Sequence, residues 1–222
     1  IAMSGGGDGG GFAGGIGGLS FVASDATLIN CVIARNHAQE AAGFDAAYSH
    51  RAVLRNCIVW GNVAGGQDVN PRDGQFKGSH SIRYSCVEDL LTPIPGEDPP
   101  DPSKYPGCIV TDPLLRNLLT GDLHLSTGSA AIDSAENASV PGGVTDDLAG
   151  HLRFVNDPDS PDSGSGTPPI VDMGAYEYAP PAPADLTLDG YVDQDDVARF
   201  RACSTRSALP YDPLHLPVGC TL

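Results

Sequence analysis

The chain has 222 residues, with 28 acidic and 12 basic side chains and a formal net charge of −16. This charge argues against binding to nucleic acids or anionic membranes, because both need clustered lysine and arginine. Glycine (28) and proline (19) are abundant, aromatic residues make up only 6%, and no apolar run reaches the length of a membrane span. We therefore expect a turn-rich all-β protein whose acidity maintains solubility or collects divalent cations.

The chain begins with a glycine-rich stretch at residues 4–18 (SGGGDGGGFAGGIGG). It lacks the Lys-Ser/Thr pair of a phosphate-binding loop, and no helix-forming segment follows it. We interpret it as tight bends where stacked backbones leave no room for a Cβ atom. The chain starts at Ile1 in mid-repeat, without an initiator methionine or a signal peptide, so we expect a processed or truncated product.

Two segments in the first third of the chain are near copies, 26 residues apart. Residues 26–36 (ATLINCVIARN) align with residues 52–62 (AVLRNCIVWGN). A period of this size, built from short β-branched runs, is typical of one turn of a β-solenoid. If successive turns stack in register, Asn30 and Asn56 form an amide ladder at a bend, and the cysteines that follow them stack in a column.

A weaker third copy follows at residues 81–87 (SIRYSCV), where Cys86 lies 29 residues after Cys57 and Ser85 takes the place of the asparagine. We expect the amide ladder to end there. In each run that starts with cysteine, strand alternation sends the first and third side chains to one face and the second to the other. The order of motifs in residues 5–64 resembles the right-handed parallel β-helix repeat proteins of bacterial surfaces. That resemblance implies a fold without naming an activity.

Two segments, residues 65–80 and 88–107, interrupt the repeats. The second is acidic and rich in proline, which cannot donate to a strand ladder, so we expect a protruding loop. Cys86 and Cys108 flank this loop. The chain has six cysteines, so a disulfide between these two is one of many possible pairings and the connectivity stays open.

Residues 108–178 carry five short blocks in order: VTDPLL, GDLHL, TGSAAIDSA, DDLAGHLR and VDMGAYEY. This succession resembles the C-terminal end region of the same β-helix family, which closes the solenoid before an anchoring or sorting element. The resemblance implies that these residues cap a stack whose end would otherwise expose strand edges. We interpret the aspartates of these blocks as hydrogen-bond acceptors for turn amides rather than as a catalytic cluster: Asp112, Asp133, Asp147 and Asp172.

After a linker at residues 179–184, residues 185–196 (DLTLDGYVDQDD) have the spacing of a twelve-residue Ca²⁺ loop. In such a loop, oxygen ligands alternate along the first half, a glycine makes the sharp turn, and an acidic side chain closes the end. The expected ligands are the side chains of Asp185, Thr187, Asp189, Asp193 and Asp196 and the main-chain carbonyl of Tyr191.

The aspartate at the last loop position and a helix-compatible segment at residues 197–202 resemble one half of a dockerin-type repeat. Thr187 stands where that family has Asn or Asp, which implies a weaker site. A second loop does not follow in the sequence, so a docking module that binds a scaffold is the least favoured role. Cys203 and Cys220 flank the remaining tail, and a disulfide between them would suit a small secreted appendage.

Together these features predict an all-β fold, a right-handed parallel β-helix with a C-terminal cap and a small Ca²⁺-loop and helix appendage. The predicted organisation is β-helix coils at residues 1–107, a cap at 108–178, a linker at 179–184 and a Ca²⁺-binding tail at 185–222.

The resemblance implies a secreted or cell-surface protein with a structural or adhesive role. We expect it to associate with copies of itself by stacking, as a homo-oligomer or filament, or to contact surface glycans. We expect neither a nucleic-acid partner nor a membrane span. The alternative is the C-terminal part of a polysaccharide lyase or glycoside hydrolase, which needs a base or paired carboxyl groups. We assign no catalytic residue. The basic residues considered for that role are Arg35, His37, His50, Arg51 and Arg55.

Overall fold

A computed structural model of the chain describes residues 2–4, 18–20, 25–39, 41–46, 51–66, 70–180, 184–186, 192 and 194–203. The chain divides into two compact units, Ile1–Tyr178 and Ala179–Leu222. In its described part, the first unit is made of short strands, turns and single-turn helices, whereas the second contains one α-helix. The prediction of an all-β chain with a small helical appendage is confirmed at this level.

The strands are two to four residues long, as expected for a chain punctuated by glycine, asparagine and proline. They are β1 (Ala2–Ser4), β2 (Leu19–Ser20), β3 (Ala26–Ile29), β4 (Val32–Ala34), β5 (His37–Ala38), β6 (Phe44–Ala46), β7 (Ala52–Arg55), β8 (Ile58–Trp60), β9 (Val63–Ala64), β10 (Phe76–Gly78), β11 (His80–Arg83), β12 (Cys86–Val87), β13 (Leu115–Asn117) and β14 (Asp122–Leu125). The helices are three 3-10 turns, Pro71–Gly74, Pro102–Lys104 and Asn137–Ser139, and α1 (Gln194–Cys203).

Strands from successive repeats lie side by side in parallel sheets. Their orders are β1-β4-β8-β12, β3-β7-β11, β2-β6-β10 and β5-β9, while β13 and β14 form an antiparallel pair. Residues at equal positions of the two near copies are direct partners, as in Val32 with Ile58 and Leu28 with Leu54. The 26-residue spacing read from the sequence is therefore the pairing register of these strands.

One apolar cluster takes side chains from three of the parallel sheets. Ile33 and Val59 come from the first sheet, and Leu54 comes from the second. Phe44 and Phe76, from the third, stack with ring centroids 5.9 Å apart. Burying these side chains stabilises the fold by roughly 1.5–3 kcal/mol each, which compensates for the ordering of many short strands.

The opposite face of the first sheet is buried as well. Val32 and Ile58 contribute to a second cluster with Leu123 and Met173 from the region that follows the repeats. The predicted alternation of side chains is thus confirmed, but both faces are apolar, as in parallel strands that are covered on two sides. A Cβ atom on Gly174 would lie 2.9 Å from Ile58 Cδ1, so the backbone of this region packs directly on the sheet.

The predicted alignment of the third repeat is wrong by one residue. Arg83 pairs with Arg55 and Cys86 pairs with Ile58, so the third copy follows the second at 28 residues and not at 29. Tyr84, with φ 45°, occupies the bend that an asparagine occupies in the other copies. Ser85 stands next to Cys57 and accepts its backbone N–H at 3.0 Å through Oγ. The insertion before β10 and a shortened connection after it set this offset together, because β10 follows β6 at 32 residues (Phe76 with Phe44) whereas β11 follows β7 at 28. These connection lengths carry no signal of register.

The amide ladder forms at a different pair of asparagines from the one predicted. Asn30 and Asn56 do have left-handed backbone angles, with φ of 48° and 54°. Their side chains bond to the later region, Asn30 to the Asp172 carbonyl and Asn56 to the backbone of Glu136. The ladder instead joins Asn36 and Asn62, whose side chains bond at 2.9 Å.

Four cysteines whose side chains are described are free thiols: Cys31, Cys57, Cys86 and Cys108. A Cys86–Cys108 disulfide is therefore not formed in this structure, and Cys86 donates to the Thr111 carbonyl at 3.3 Å. The other pairing considered, Cys203 with Cys220, lies partly outside the described residues. Where helices are described, none combines the length and the hydrophobicity that crossing a membrane requires.

Candidate functional site

The start of the predicted Ca²⁺ loop and its end approach each other in the second unit. Asp185 precedes the loop's central part, and Asp196 lies in the first turn of α1. The Leu186 N–H donates to Asp196 Oδ1 at 2.7 Å. Asp185 is only 3% exposed and Asp196 only 2%, although α1 leaves Val197 and Phe200 exposed. The carboxylates of Asp185 and Asp196 are thus buried, whereas two apolar side chains of α1 are exposed.

Buried carboxylates need a positive charge or hydrogen bonds to compensate them, and both of these acids have such interactions within the chain. Their positions at the two ends of the loop are compatible with the predicted cation site. The other expected ligands, Thr187, Asp189, Tyr191 and Asp193, lie outside the described residues. Among the residues that the structure does describe, no three acidic, histidine or cysteine side chains converge as a metal site would require. The structure therefore supports the closing of the loop and leaves its ligand set as a prediction.

A cleft of about 470 Å³ opens in the first unit beside the turn that carries residues 70–74. The residues that line it are mostly polar or small and come from the second and third repeats: Gly61, Asn62, Val63, Ala64, Asn70, Gly74, Gln75, Glu88 and Asp89. Lysine, arginine and histidine are not among these lining residues. Two carboxylates and three amides favour a neutral hydroxylated ligand or a cation over an anion.

A chain of buried hydrogen bonds holds the floor of this cleft. Asn62 Nδ2 donates to Gln75 Oε1 at 2.8 Å, and Gln75 Nε2 donates to Glu88 Oε2 at 2.7 Å. The Gly61 N–H donates to the same Glu88 oxygen, also at 2.7 Å. The side chains that form this series of hydrogen bonds are held in place, because each of these polar groups has a hydrogen-bond partner. Glu88 is thereby held in one position at the edge of the cleft.

The pKa of Glu88 is raised, chiefly because its carboxyl group is partly buried and further because Asp89 and Asp112 are nearby; the Gly61 N–H opposes this shift. A carboxyl group with a raised pKa in a cleft is typical of a functional group, although buried structural networks have the same property. None of the residues of this site was predicted from the sequence. Its only signal was the glutamate that directly follows the third copy's final strand.

A second, smaller cavity of about 310 Å³ lies near the same turn and has mixed charge. Arg72 forms an ion pair with Glu97 at 3.0 Å. His80 lies between aromatic rings, edge-on to Phe76 at 4.6 Å and stacked on Tyr105 at 6.1 Å. Burial lowers the pKa of His80. Its ring is therefore a neutral packing group at neutral pH.

The basic residues considered for catalysis are dispersed. Arg35 donates to the Leu118 carbonyl at 2.6 Å, and Arg55 donates to the Leu54 carbonyl at 3.3 Å. His37 is exposed, and His50 lies outside the described residues. Of these residues, the ones that the structure describes line neither cavity.

The aspartates of the later blocks accept hydrogen bonds from turn amides, as predicted. Asp112 Oδ1 accepts from the Leu114 N–H at 2.8 Å, and Asp147 Oδ1 accepts from the Ala149 N–H at 2.8 Å. Asp172 accepts the N–H groups of Asp133 and Tyr178, at 2.8 and 2.5 Å. These carboxyl groups organise the turns that pack on the first sheet.

No protein-family model, curated protein or solved structure matches the chain. The interpretation of each site therefore depends on its own geometry.

Three buried acids in the region that follows the repeats, Asp133, Asp172 and Glu177, have raised pKa values. Burial raises the pKa of Asp133 to about 6, and it raises the pKa of Asp172 and Glu177 further. The charge of Asp133 adds to the rise at Asp172, and the charge of Asp172 adds to the rise at Glu177. Arg153 lies 3.5 Å from Glu177 and supplies one positive charge to this group. One cation cannot neutralise three acids, so the folded region retains protons that the unfolded chain releases. The cluster is suited to stabilising turns and has no cavity beside it among those described.

Proposed function

We propose that the chain is a structural or adhesive module of an extracellular or cell-surface protein, built on a right-handed parallel β-helix. The observation that carries this proposal is the direct pairing of equal positions in successive repeats, as in Val32 with Ile58 and His37 with Val63. Stacked repeats of this kind make a rigid body whose outermost strands have unpaired N–H and C=O groups. Such edges are suited to association with another copy.

Strand β3 supplies the edge on which self-association can be tested. Ala26 and Asn30 donate their N–H groups to Arg51 and Arg55 of the next repeat. Because alternate residues of a strand face opposite neighbours, the N–H of Thr27 points away from β7. Among the described strands, β3 is the last in its sheet on that side. Thr27 is exposed, so substitution there leaves the core unchanged.

We expect Thr27→Pro to reduce self-association, because proline removes the outward N–H and blocks strand addition. The wild-type sedimentation coefficient should rise with protein concentration, and that of Thr27→Pro should remain at the monomer value. Thr27→Val keeps the N–H group and is the matched control, so it should sediment as the wild type does. A wild-type chain that is monomeric at every concentration, or equal behaviour of all three, would contradict assembly through this edge.

We also propose that residues 185–196 bind one Ca²⁺ ion through Asp185, Thr187, Asp189, the Tyr191 carbonyl, Asp193 and Asp196. The burial of the first and last of these carboxylates supports this assignment. Ca²⁺ takes six to eight oxygen ligands, a number that this set of carboxylate, hydroxyl and carbonyl oxygens can supply. A tail of this kind would be ordered in Ca²⁺-rich extracellular fluid.

The second candidate is a polysaccharide-degrading enzyme, and the cleft beside Glu88 favours it. Glu88 is fixed by two hydrogen bonds at 2.7 Å, its pKa is raised, and Asp89 lies next to it. A glycoside hydrolase would use such a pair as acid and base or nucleophile. Reducing-end release from a panel of polysaccharides should then be at least 100-fold slower in Glu88→Gln than in wild type. Activity that is absent from both, or equal in both, would exclude this role.

A further inference from the structure

The first two repeats place two thiols next to each other across a pair of parallel strands. Val32 pairs with Ile58, so the residues immediately before them, Cys31 and Cys57, are also aligned. The Ile58 N–H donates to the Cys31 carbonyl at 2.8 Å, which holds the two backbones at normal sheet spacing. Neighbouring strands are about 4.8 Å apart, and disulfides join residues whose Cα atoms are about 4.4–6.8 Å apart.

The two side chains also have the same orientation. Cys31 Sγ donates to the Ile29 carbonyl at 3.2 Å, and Cys57 Sγ contacts the carbonyl two residues before it, that of Arg55, at 3.1 Å. Cys57 Sγ additionally lies 3.5 Å from the Leu28 carbonyl of the preceding repeat. The Cys57 thiol is therefore directed towards the repeat that carries Cys31. The two thiols are thus on the same side of the paired backbones, as a disulfide between them requires.

The other thiols whose side chains are described are not arranged in this way. The one-residue shift in the third repeat places Ser85 beside Cys57 and moves Cys86 beside Ile58. Cys86 is buried, and its pKa is raised, chiefly by burial. It is consequently an internal control for a buried thiol that has no aligned cysteine.

We propose that Cys31 and Cys57 form an oxidative modification site, where a peroxide converts the aligned thiols into a disulfide that joins adjacent repeats. Cys31 is 5% exposed and Cys57 is 0% exposed, so Cys31 is the thiol of this pair that has contact with solvent. The pKa of Cys31 is lowered to about 6, chiefly by a hydrogen bond from Cys57, while burial raises the pKa of Cys57. Cys31 is thus the nucleophile, and Cys57 is the resolving thiol.

The reaction balances with hydrogen peroxide as the oxidant. The Cys31 thiolate attacks one peroxide oxygen, the O–O bond breaks, and Cys31 becomes a sulfenic acid while hydroxide leaves and takes a proton to become water. Cys57 then gives up its proton, its sulfur attacks the Cys31 sulfur, and the sulfenic oxygen leaves as a second water. Two thiols lose two electrons in total, and one peroxide is reduced to two waters.

The test is non-reducing peptide mapping by mass spectrometry of the full chain after peroxide treatment. We expect a Cys31–Cys57 crosslinked peptide that dithiothreitol abolishes, and a loss of two more thiols than in Cys31→Ser. In Cys57→Ser, the sulfenic acid on Cys31 should persist and react with dimedone. Serine already occupies the aligned position in the third repeat, so this variant is compatible with the fold, which far-UV circular dichroism checks.

Cys86→Ser is the matched control, and it should form the crosslink to the same extent as wild type. The proposal is overturned if wild-type Cys31 stops at sulfenic or sulfinic acid while Cys57 stays reduced. It is equally overturned if Cys31 links to a second chain, or if neither thiol reacts. These outcomes are independent of Ca²⁺ binding and of assembly through β3.

Discussion

At the scale of single residues, Asn56 connects the repeats to the region that covers them. Its side chain accepts the Glu136 N–H at 2.9 Å and donates to the Glu136 carbonyl at 3.0 Å. The Asn56 amide thus makes the pair of hydrogen bonds with the Glu136 backbone that a neighbouring strand would make. Its left-handed backbone angle is one that asparagine tolerates better than most residues. The equivalent residue of the first copy, Asn30, has the same backbone angle and only one long bond, 3.4 Å, to the Asp172 carbonyl.

This pair of asparagines gives a matched prediction. Asn30→Ala and Asn56→Ala both place alanine at positive φ, but only Asn56→Ala leaves the Glu136 N–H without its partner, and it also removes one of the two donors to the Glu136 carbonyl, which keeps the Ser139 N–H. We expect Asn56→Ala to lower the free energy of unfolding by about 1–3 kcal/mol more than Asn30→Ala. Urea unfolding of the two variants measures the difference. Equal losses would show that the Glu136 contacts contribute nothing beyond the backbone conformation.

At the scale of elements, the segment of residues 170–178 combines tight packing with buried acids. Val171 and Met173 are in the apolar cluster on the first sheet, whereas Asp172 and Glu177 are buried among backbone amides and Arg153. In this segment the apolar side chains thus pack on the first sheet, while the acidic side chains accept hydrogen bonds from backbone amides. Both acids have raised pKa values because burial disfavours their charged forms.

The raised pKa values predict an unusual pH dependence of stability. A carboxyl group whose pKa is higher in the folded state binds more protons there, so its contribution is complete below the unfolded pKa of about 4 and is lost as pH rises. For Asp133 the loss is complete near the folded pKa of about 6, and for Asp172 and Glu177 it extends to higher pH. We expect the thermal midpoint of the first unit to be higher at pH 5 than at pH 8.

Glu177→Gln tests the cause of this dependence, because glutamine keeps the shape and cannot ionise. It should reduce the fall in stability between pH 5 and pH 8 by up to about 1 kcal/mol per pH unit. Glu97→Gln removes an exposed partner of Arg72 and should leave the pH profile unchanged. A wild-type midpoint that rises from pH 5 to pH 8 would contradict the role of these acids.

At the scale of the whole molecule, the chain consists of two units that differ in what stabilises them. The first has two apolar clusters, whereas α1 of the second leaves Val197 and Phe200 exposed. In the described part of this small unit, the helix buries little apolar surface, and a bound cation is one further source of stability for such a unit. We therefore expect the two units to respond differently to Ca²⁺.

Calorimetry can measure this difference on the full chain. We expect isothermal titration to give one Ca²⁺ per chain, and scanning calorimetry to show a transition that Ca²⁺ shifts upward by several degrees while the main transition stays in place. Asp196→Ala and Asp189→Ala should abolish both effects. Asp195→Ala removes a neighbouring exposed acid outside the expected ligand set and is the control. Absence of heat and of any shift would remove the Ca²⁺ assignment.

Much of the fold could be predicted because its signals are local or periodic. The 26-residue spacing aligned Val32 with Ile58, since parallel stacking repeats the same side-chain environment at each turn. Asn30 and Asn56 were placed at left-handed bends because few other residues tolerate that conformation. The spacing of the Ca²⁺ loop likewise predicted Asp185 and Asp196 as ligands, and both side chains are buried.

The tertiary structure alone decided the features that depend on insertions and on contacts between distant segments. The insertion before β10 and the shortened connection after it together set the offset of the third repeat, which moved Cys86 out of the column of Cys31 and Cys57. The same insertion brought Gln75 between Asn62 and Glu88 and so formed the cleft. The sequence by itself determined the features that recur along the chain, because residues at equal positions of successive repeats pair with each other. It could not determine which side chains meet across insertions, because loop length does not specify where a loop returns.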